Sequence, residues 1–309
     1  MKKDCRVAVL GSDGLLGEAI GRLYPNIVLK INRDTCDLRD ENKLTQILLE
    51  NNIDLVINCA ARVGGIELNR KEQFRQFSLN TILSFTIINS CVNASVKELV
   101  MFSSNCIYPS DVAQPYKEGD LFNGKPELTN TGYADAKRLI LTHSKHAEQE
   151  HNIKIFHPIP CSLFGMNDNF SLTDGHLIST AIHKIFRAHK ENDKSVIFWG
   201  SGRPLREVMF ADDMTYCIRD LIRSGHSSEP INIGSGIEVS VKDIVTKICS
   251  IFNYSGTIVW DAQRPDGAMR KILDSTKFEA ISSYQFSEFD RSLEKTIADF
   301  VKNYSSKRK

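Results

Sequence analysis

Apolar and polar positions follow two rhythms along the first half of the chain. Short apolar runs read as strands: Arg6-Val7-Ala8-Val9-Leu10, Asn26-Ile27-Val28-Leu29-Lys30, Asp54-Leu55-Val56-Ile57-Asn58, Glu98-Leu99-Val100-Met101-Phe102 and Ile153-Lys154-Ile155-Phe156. Between them, amphipathic stretches read as helices: from the first glycines to about Tyr24, then 41–50, 72–92 and 133–150. Apolar strands alternating with amphipathic helices predict a right-handed parallel sheet with helices on both faces. Past Pro160 the rhythm loosens. Loop signals at Gly165 and Asn167-Asp168-Asn169 precede a helix over about 174–190 and a strand at Ser195-Val196-Ile197-Phe198-Trp199. Residues 228–309 add shorter strands and helices. The expected fold class is α/β, a doubly wound parallel sheet with a smaller C-terminal α/β lobe. Residues 1–160, with a return segment near 203–227, are expected to form the sheet domain. Residues 161–202 and 228–309 are expected to form a substrate lobe at the carboxyl edge of the sheet, where open α/β sheets bind ligands.

Composition narrows the function classes. The chain has 309 residues, 41% hydrophobic and 25% charged, which is enough for a sizeable core. A net charge of +1 supplies no field that would gather nucleic acid or a membrane surface, so neither is an expected partner. The basic tail Lys307-Arg308-Lys309 reads as a solvated terminus. Eight cysteines, at 5, 36, 59, 91, 106, 161, 217 and 249, make no CxxC pair, and no Cys/His group has zinc-site spacing. No metal is therefore expected. The thiols read as reduced, and with no leader pattern at the N-terminus they suggest the cytoplasm. No apolar run is long enough to span a bilayer.

The first strand is followed by Gly11-Ser12-Asp13-Gly14-Leu15-Leu16-Gly17, a GxxGxxG. Glycine suits a tight strand-to-helix turn whose backbone approaches a pyrophosphate, with the helix N-terminus facing the charge. Its place at the first strand–helix junction makes the sheet Rossmann-like and the ligand a dinucleotide. The second strand ends at Asn32-Arg33-Asp34. An acid there would hold the ribose 2′-hydroxyl of NAD, and an arginine the 2′-phosphate of NADP. Arg33 favours NADP(H), and Asp37-Leu38 falls where such folds contact the adenine.

Tyr133 and Lys137 stand four apart at the start of a helix, so both side chains share one face. An ammonium beside a phenol stabilises tyrosinate and makes the tyrosine a usable acid–base group. The fourth strand ends in Ser103-Ser104-Asn105-Cys106-Ile107-Tyr108-Pro109, which puts hydroxyls at the carboxyl edge. A serine there can donate to a carbonyl oxygen that gains charge as hydride arrives.

These residues resemble the extended short-chain dehydrogenase/reductase family, and the resemblance maps Ser104, Tyr133 and Lys137 onto its Ser-Tyr-Lys triad. Within that family the chain is similar to the GDP-L-fucose synthases. The likeness rests on an ordered series covering nearly the whole chain. After the glycine turn come Ala60-Ala61-Arg62-Val63-Gly64-Gly65-Ile66, Cys106-Ile107-Tyr108-Pro109, Asn167-Asp168-Asn169-Phe170 and Trp199-Gly200-Ser201-Gly202. Arg206-Glu207, Asp212-Asp213, Asn232-Ile233-Gly234-Ser235-Gly236 and Pro265-Asp266-Gly267-Ala268-Met269-Arg270-Lys271 follow.

The resemblance implies an NADPH-dependent enzyme that inverts C3 and C5 of a GDP-4-keto-6-deoxy-mannose and then reduces C4. It makes Cys106 the base and His176 the acid of the inversion. By the same matching, Ala60, Ala61, Ser103, Asn105, Lys137, His176 and the segment Pro160-Cys161-Ser162-Leu163 are implied along the cofactor. Lys184, Trp199, Arg206 and Asp266 are implied around the nucleotide sugar. A homodimer joined through the helices near 72–92 and 133–150 is also implied.

The chain departs from the family at several of these places. Asp13 stands where a basic residue is frequent, Cys161-Ser162 replace Thr-Asn, and Lys184 replaces an arginine. Arg62 replaces a lysine and Ser103 a glycine. A C4 reductase without epimerisation, acting on a heptose or a 3,6-dideoxy sugar, therefore remains an open alternative.

Overall fold

β1 (Val7–Leu10) is buried along its whole length, as expected of a strand covered on both faces. Its alternate side chains part to opposite sides. Val7 and Val9 enter one apolar cluster, and Ala8 and Leu10 enter another. The computed structural model describes residues 5–24, 27–264 and 266–304, apart from the side chains of Ile66 and Glu67. Asn26 of the second expected strand, Pro265 and the basic tail lie outside the described residues.

Along the chain follow α1 (Leu15–Leu23), β2 (Ile27–Ile31), α2 (Glu41–Glu50), β3 (Leu55–Asn58), α3 (Ile66–Lys71), α4 (Gln73–Asn93) and β4 (Glu98–Met101). Then come α5 (Thr131–Glu150), β5 (Lys154–Pro160), β6 (Ser162–Phe164), α6 (Leu177–Glu191), β7 (Ser195–Trp199), β8 (Leu205–Phe210) and α7 (Ala211–Ser224). The last are β9 (Pro230–Ile233), β10 (Glu238–Ser240), α8 (Val241–Phe252), β11 (Thr257–Asp261), α9 (Thr276–Glu279) and α10 (Phe289–Asn303).

The main sheet has six strands in the order β2-β1-β3-β4-β5-β9, and every pairing is parallel. α1 and α7 pack together on one face, where Ile20, Met214 and Ile218 meet Val7 and Val9. α2, α4 and α5 cover the other face with Leu44, Ile87 and Ile140. This is the doubly wound, Rossmann-like α/β arrangement that the alternating pattern predicts. No helix among the described residues is long and apolar enough to cross a membrane.

Two segments sit differently from the pattern. β9 lies in the stretch grouped with the smaller lobe, yet it pairs with β5 and completes the main sheet. β8 lies in the return segment, yet it joins β10 and β6 in a second sheet, while α7 behind it packs on α1. The fifth strand also runs on to Pro160, because His157 to Pro160 pair with β9, and the Pro158 carbonyl accepts from the Ser103 N–H (3.0 Å) on the other side. Two prolines had hidden that extension in the sequence.

The smaller lobe surrounds its own core, with Phe164, Ile182, Phe198, Phe210, Ile244 and Phe300 buried together. β7 and β11 form a parallel pair on it. The sixth helix starts at Leu177 rather than near 174, because residues 171–175 form a turn closed by Gly175 N–H on the Ser171 carbonyl (3.0 Å).

Candidate active site

β1 turns straight into α1, and Gly11 makes the turn possible. It sits at φ +72°, and a Cβ there would lie 2.7 Å from the Ala60 backbone nitrogen. Conformation and space both exclude a side chain. The Gly11 N–H donates to the Ile31 carbonyl (2.8 Å). The N-cap of α1 is Gly14, whose lack of a capping side chain leaves the first N–H groups of Leu15, Leu16 and Gly17 open to a ligand. A turn without side chains at the positive end of a helix fits the pyrophosphate of a dinucleotide. Ala60 walls the turn, and its N–H donates to Asn58 Oδ1 (3.0 Å), with Ala61 next along the chain.

Ser12 is buried and donates to Asp13 Oδ1 (3.0 Å). Asp13 Oδ2 also accepts from Asn32 Nδ2 (2.8 Å), so its carboxylate sits at the end of β2. Arg33 is exposed in the turn that follows. Asp37 is gripped by Arg39, whose guanidinium donates to both carboxylate oxygens at 2.6 to 3.1 Å. Those bonds, with one from the Arg39 backbone N–H, pull the Asp37 carboxyl down to about 2. Leu38 between them is buried. The sequence pattern does not single out Arg39. The signal was its spacing from Asp37, which sets two charges on either side of a buried leucine.

The chemistry gathers where β4 ends. Lys137 reaches inward from α5 and donates to the Phe102 carbonyl (2.8 Å). It is buried, and burial pushes its ammonium down to about 8. Its Nζ lies 5.8 Å from the Tyr133 ring centroid. Tyr133 is also buried. Loss of solvent raises its phenol and the neighbouring Cys106 adds to the rise, while a contact with Ser104 works against it. Tyr133 is thus held as the neutral phenol, a proton donor. Ser104 Oγ accepts from the Cys106 N–H (3.3 Å), which fixes the short turn through Asn105 and Cys106. Ser103 is buried beside it, and its Oγ has no partner among the described residues.

Cys106 is half-buried and lines a cavity of about 280 Å³ with Asn105, Tyr108, Tyr116, Arg270 and Lys271. Lys271 Nζ lies 3.9 Å from its sulfur. His176 stands at the N-cap of α6, accessible to solvent yet crowded by protein that lowers its pKa. The preceding Gly175 carbonyl packs against Gly65, which ties His176 to the Val63-Gly64-Gly65 loop after β3.

Of the other expected contacts, Cys161 turns its side chain into the core, so it can line the cofactor path only through backbone. Ser162 is exposed, and Pro160 and Leu163 are half-buried. Asp266 accepts from the Ser201 N–H (2.6 Å) and Oγ (2.8 Å), and so anchors the Trp199-to-Gly202 turn. Trp199 at that turn is 44% exposed, with the Arg264 guanidinium 5.0 Å from its ring, so it is a surface wall rather than core. Arg206 donates to the Leu205 and Ala268 carbonyls (2.8 Å each). Burial lowers its pKa, and Cys106, Asp266 and Tyr116 oppose the fall. Lys184 lies farther out, over the Phe198 ring (5.2 Å) and 3.3 Å from the Ile197 carbonyl.

A glycine turn and a Ser-Tyr-Lys group at the carboxyl edge of one parallel sheet define a nucleotide-dependent dehydrogenase-type protein. The chain belongs to the NAD dependent epimerase/dehydratase family, whose sequence model matches residues 7–234. Within that family it stands among the GDP-L-fucose synthases. It is 31% identical to the putative GDP-L-fucose synthase 2 of Arabidopsis thaliana, over 91% of this chain and 87% of that one. It is 30% identical to the GDP-L-fucose synthase of Escherichia coli K12, over 96% and 97% of the two chains. A crystal structure of a GDP-L-fucose synthetase from Naegleria fowleri bound to NADP superposes with a TM-score of 0.90 at 27% identity, covering 100% of this chain and 96% of that one.

Proposed function

We propose that this chain converts a GDP-4-keto-6-deoxy-mannose-type nucleotide sugar to a GDP-L-fucose-type product, using NADPH. The observation that carries the reading is the meeting of Ser104, Cys106 and Tyr133 at the end of β4, with Lys137 buried behind them. The relatives named above support the substrate and the cofactor.

A C4 ketone acidifies the C–H bonds at C3 and C5, because the electron pair left behind delocalises onto O4. Cys106 removes the proton from one face, and His176 returns one to the other. Ser104 and Tyr133 donate hydrogen bonds to O4 while it carries that charge. When bound, NADPH supplies the hydride for C4. Tyr133 then gives its proton to O4, and Lys137 supports the tyrosinate that forms. The glycine turn holds the cofactor pyrophosphate, with Arg33 and Arg39 on the adenosine side. Trp199, Arg206 and Asp266 border the nucleotide sugar in the smaller lobe. The proposal extends to a homodimer through α4 and α5; exposed Phe74, Phe77 and Ile82 on α4 suit a covered face. The eight free thiols favour a reducing compartment, the cytoplasm.

Incubation with GDP-4-keto-6-deoxy-mannose and NADPH, with the product read by NMR, tests the reading. One NADPH consumed per molecule of L-configured product supports it. Consumption without inversion leaves only the C4 reductase. No consumption overturns both.

A further inference from the structure

We infer that Lys271 is a positioning residue that holds Cys106 in its thiolate form for proton abstraction. The inference rests on the epimerase reading above and assigns a new role within it.

Lys271 comes from a segment far along the chain, yet its Nζ lies 3.9 Å from the Cys106 sulfur, across a separation of 165 residues. The approach is built into the fold. On one side of the segment, the Tyr116 N–H donates to the Ile272 carbonyl (2.9 Å), and the Gln114 side chain both donates to the Arg270 carbonyl (2.7 Å) and accepts from the Ile272 N–H (3.0 Å). On the other side, β8 meets it through Leu205 N–H on the Met269 carbonyl (2.9 Å). The buried Glu207 carboxylate accepts from the Leu273 N–H (3.0 Å) and the Gly236 N–H (2.9 Å). The segment is thus clamped from both sides. Arg270, on the same cavity wall, is held in a two-point ion pair with Glu238 (2.6 Å each), while Lys271 brings its ammonium to Cys106.

Among the described residues, Lys271 makes no ion pair with a carboxylate. Its charge is left for the sulfur. A thiolate beside an ammonium is favoured over the thiol. The other charged or titratable groups around Cys106 are Arg206, Tyr133 and Tyr116, with Tyr108, Glu127 and the Glu238-paired Arg270 on the cavity wall. Arg206 Nη1 is fixed on two backbone carbonyls, whereas Lys271 brings its ammonium to 3.9 Å from the sulfur. When the thiolate takes the substrate proton it becomes the neutral thiol, and the electron pair of the broken C–H bond moves onto O4. The Lys271 ammonium keeps its proton throughout.

Iodoacetamide alkylation of Cys106 in the full chain without substrate, read by peptide mass spectrometry across about pH 6 to 10, tests the assignment. Lys271→Met is expected to move the midpoint of Cys106 alkylation up by about one pH unit and to slow it roughly tenfold at neutral pH. Lys271→Arg is expected to keep the wild-type midpoint. An unmoved midpoint in Lys271→Met, or an equal shift in both variants, overturns the proposal. Should Lys271→Met expose the core thiols of Cys91 and Cys217, Lys271→Gln takes its place with the same two outcomes. Because alkylation needs no substrate, failure of the epimerase reading is registered separately, by the wild type's turnover of the keto sugar.

Discussion

The Lys137 ammonium is 2.8 Å from the Phe102 carbonyl, so one buried hydrogen bond ties α5 to the end of β4. Both partners of the proton-transfer pair are thereby registered on the end of the strand that leads into Ser104 and Cys106. Removing the phenol should remove the chemistry and leave the fold. Tyr133→Phe is expected to lower reductase turnover by about 10²- to 10⁴-fold with cofactor binding kept. Stopped-flow hydride transfer and a nicotinamide fluorescence titration measure the two separately. Turnover within a factor of a few of wild type would refute the assignment.

The burial of Lys137 has a pH signature. Its pKa falls from 10.5 to about 8, so keeping it charged at neutral pH costs folding on the order of 3 kcal/mol. Between about pH 8 and 10.5 the unfolded chain holds a proton that the native chain has released, so this group makes stability rise with pH across that window. Lys137→Met lacks the rise. Urea unfolding should find the variant's advantage over wild type largest near neutral pH and shrinking as pH climbs. Parallel stability curves would contradict the burial argument.

Asp13 places a carboxylate on Asn32 at the end of β2, where a 2′-phosphate would approach; the exposed Arg33 provides the opposing charge, while Arg39 is paired with Asp37. Asp13→Asn is expected to tighten NADPH roughly three- to tenfold relative to NADH, and Arg33→Ala to weaken NADPH by a similar factor. Titrating both reduced cofactors against each variant checks this. Equal effects on NADH and NADPH would remove the 2′-phosphate from the explanation.

Asp266 closes the turn after Trp199 through two bonds from Ser201, and Gly200 within it sits at φ +78° against the Asp266 carboxylate. Asp266→Ala releases that turn, and Trp199 with it. The expected result is a KM for the nucleotide sugar raised about tenfold with kcat nearly unchanged, the mark of lost uniform binding. A fall in kcat alone would place Asp266 in the chemistry instead.

What could be read from the sequence was local. The Gly11 turn and the Tyr133/Lys137 pair depend on spacings of a few residues, and the fold keeps those spacings on one turn and one helix face. β9 was hidden because four residues carry too little pattern to separate a sixth sheet strand from lobe structure. β5 was cut short by Pro158 and Pro160, which a parallel strand tolerated here. Lys271 could be placed in a motif but not beside Cys106. That meeting depends on Gln114, Tyr116 and Glu207 clamping a distant segment, which no local periodicity encodes.

The most direct measurement of the central claim is solvent deuterium uptake into the keto sugar, without any cofactor. Wild type should label C3 and C5, Tyr133→Phe should still label them but more slowly because O4 loses one donor, and Cys106→Ser should not label them. Labelling that survives the loss of the Cys106 thiol, or is absent from wild type, would contradict the account.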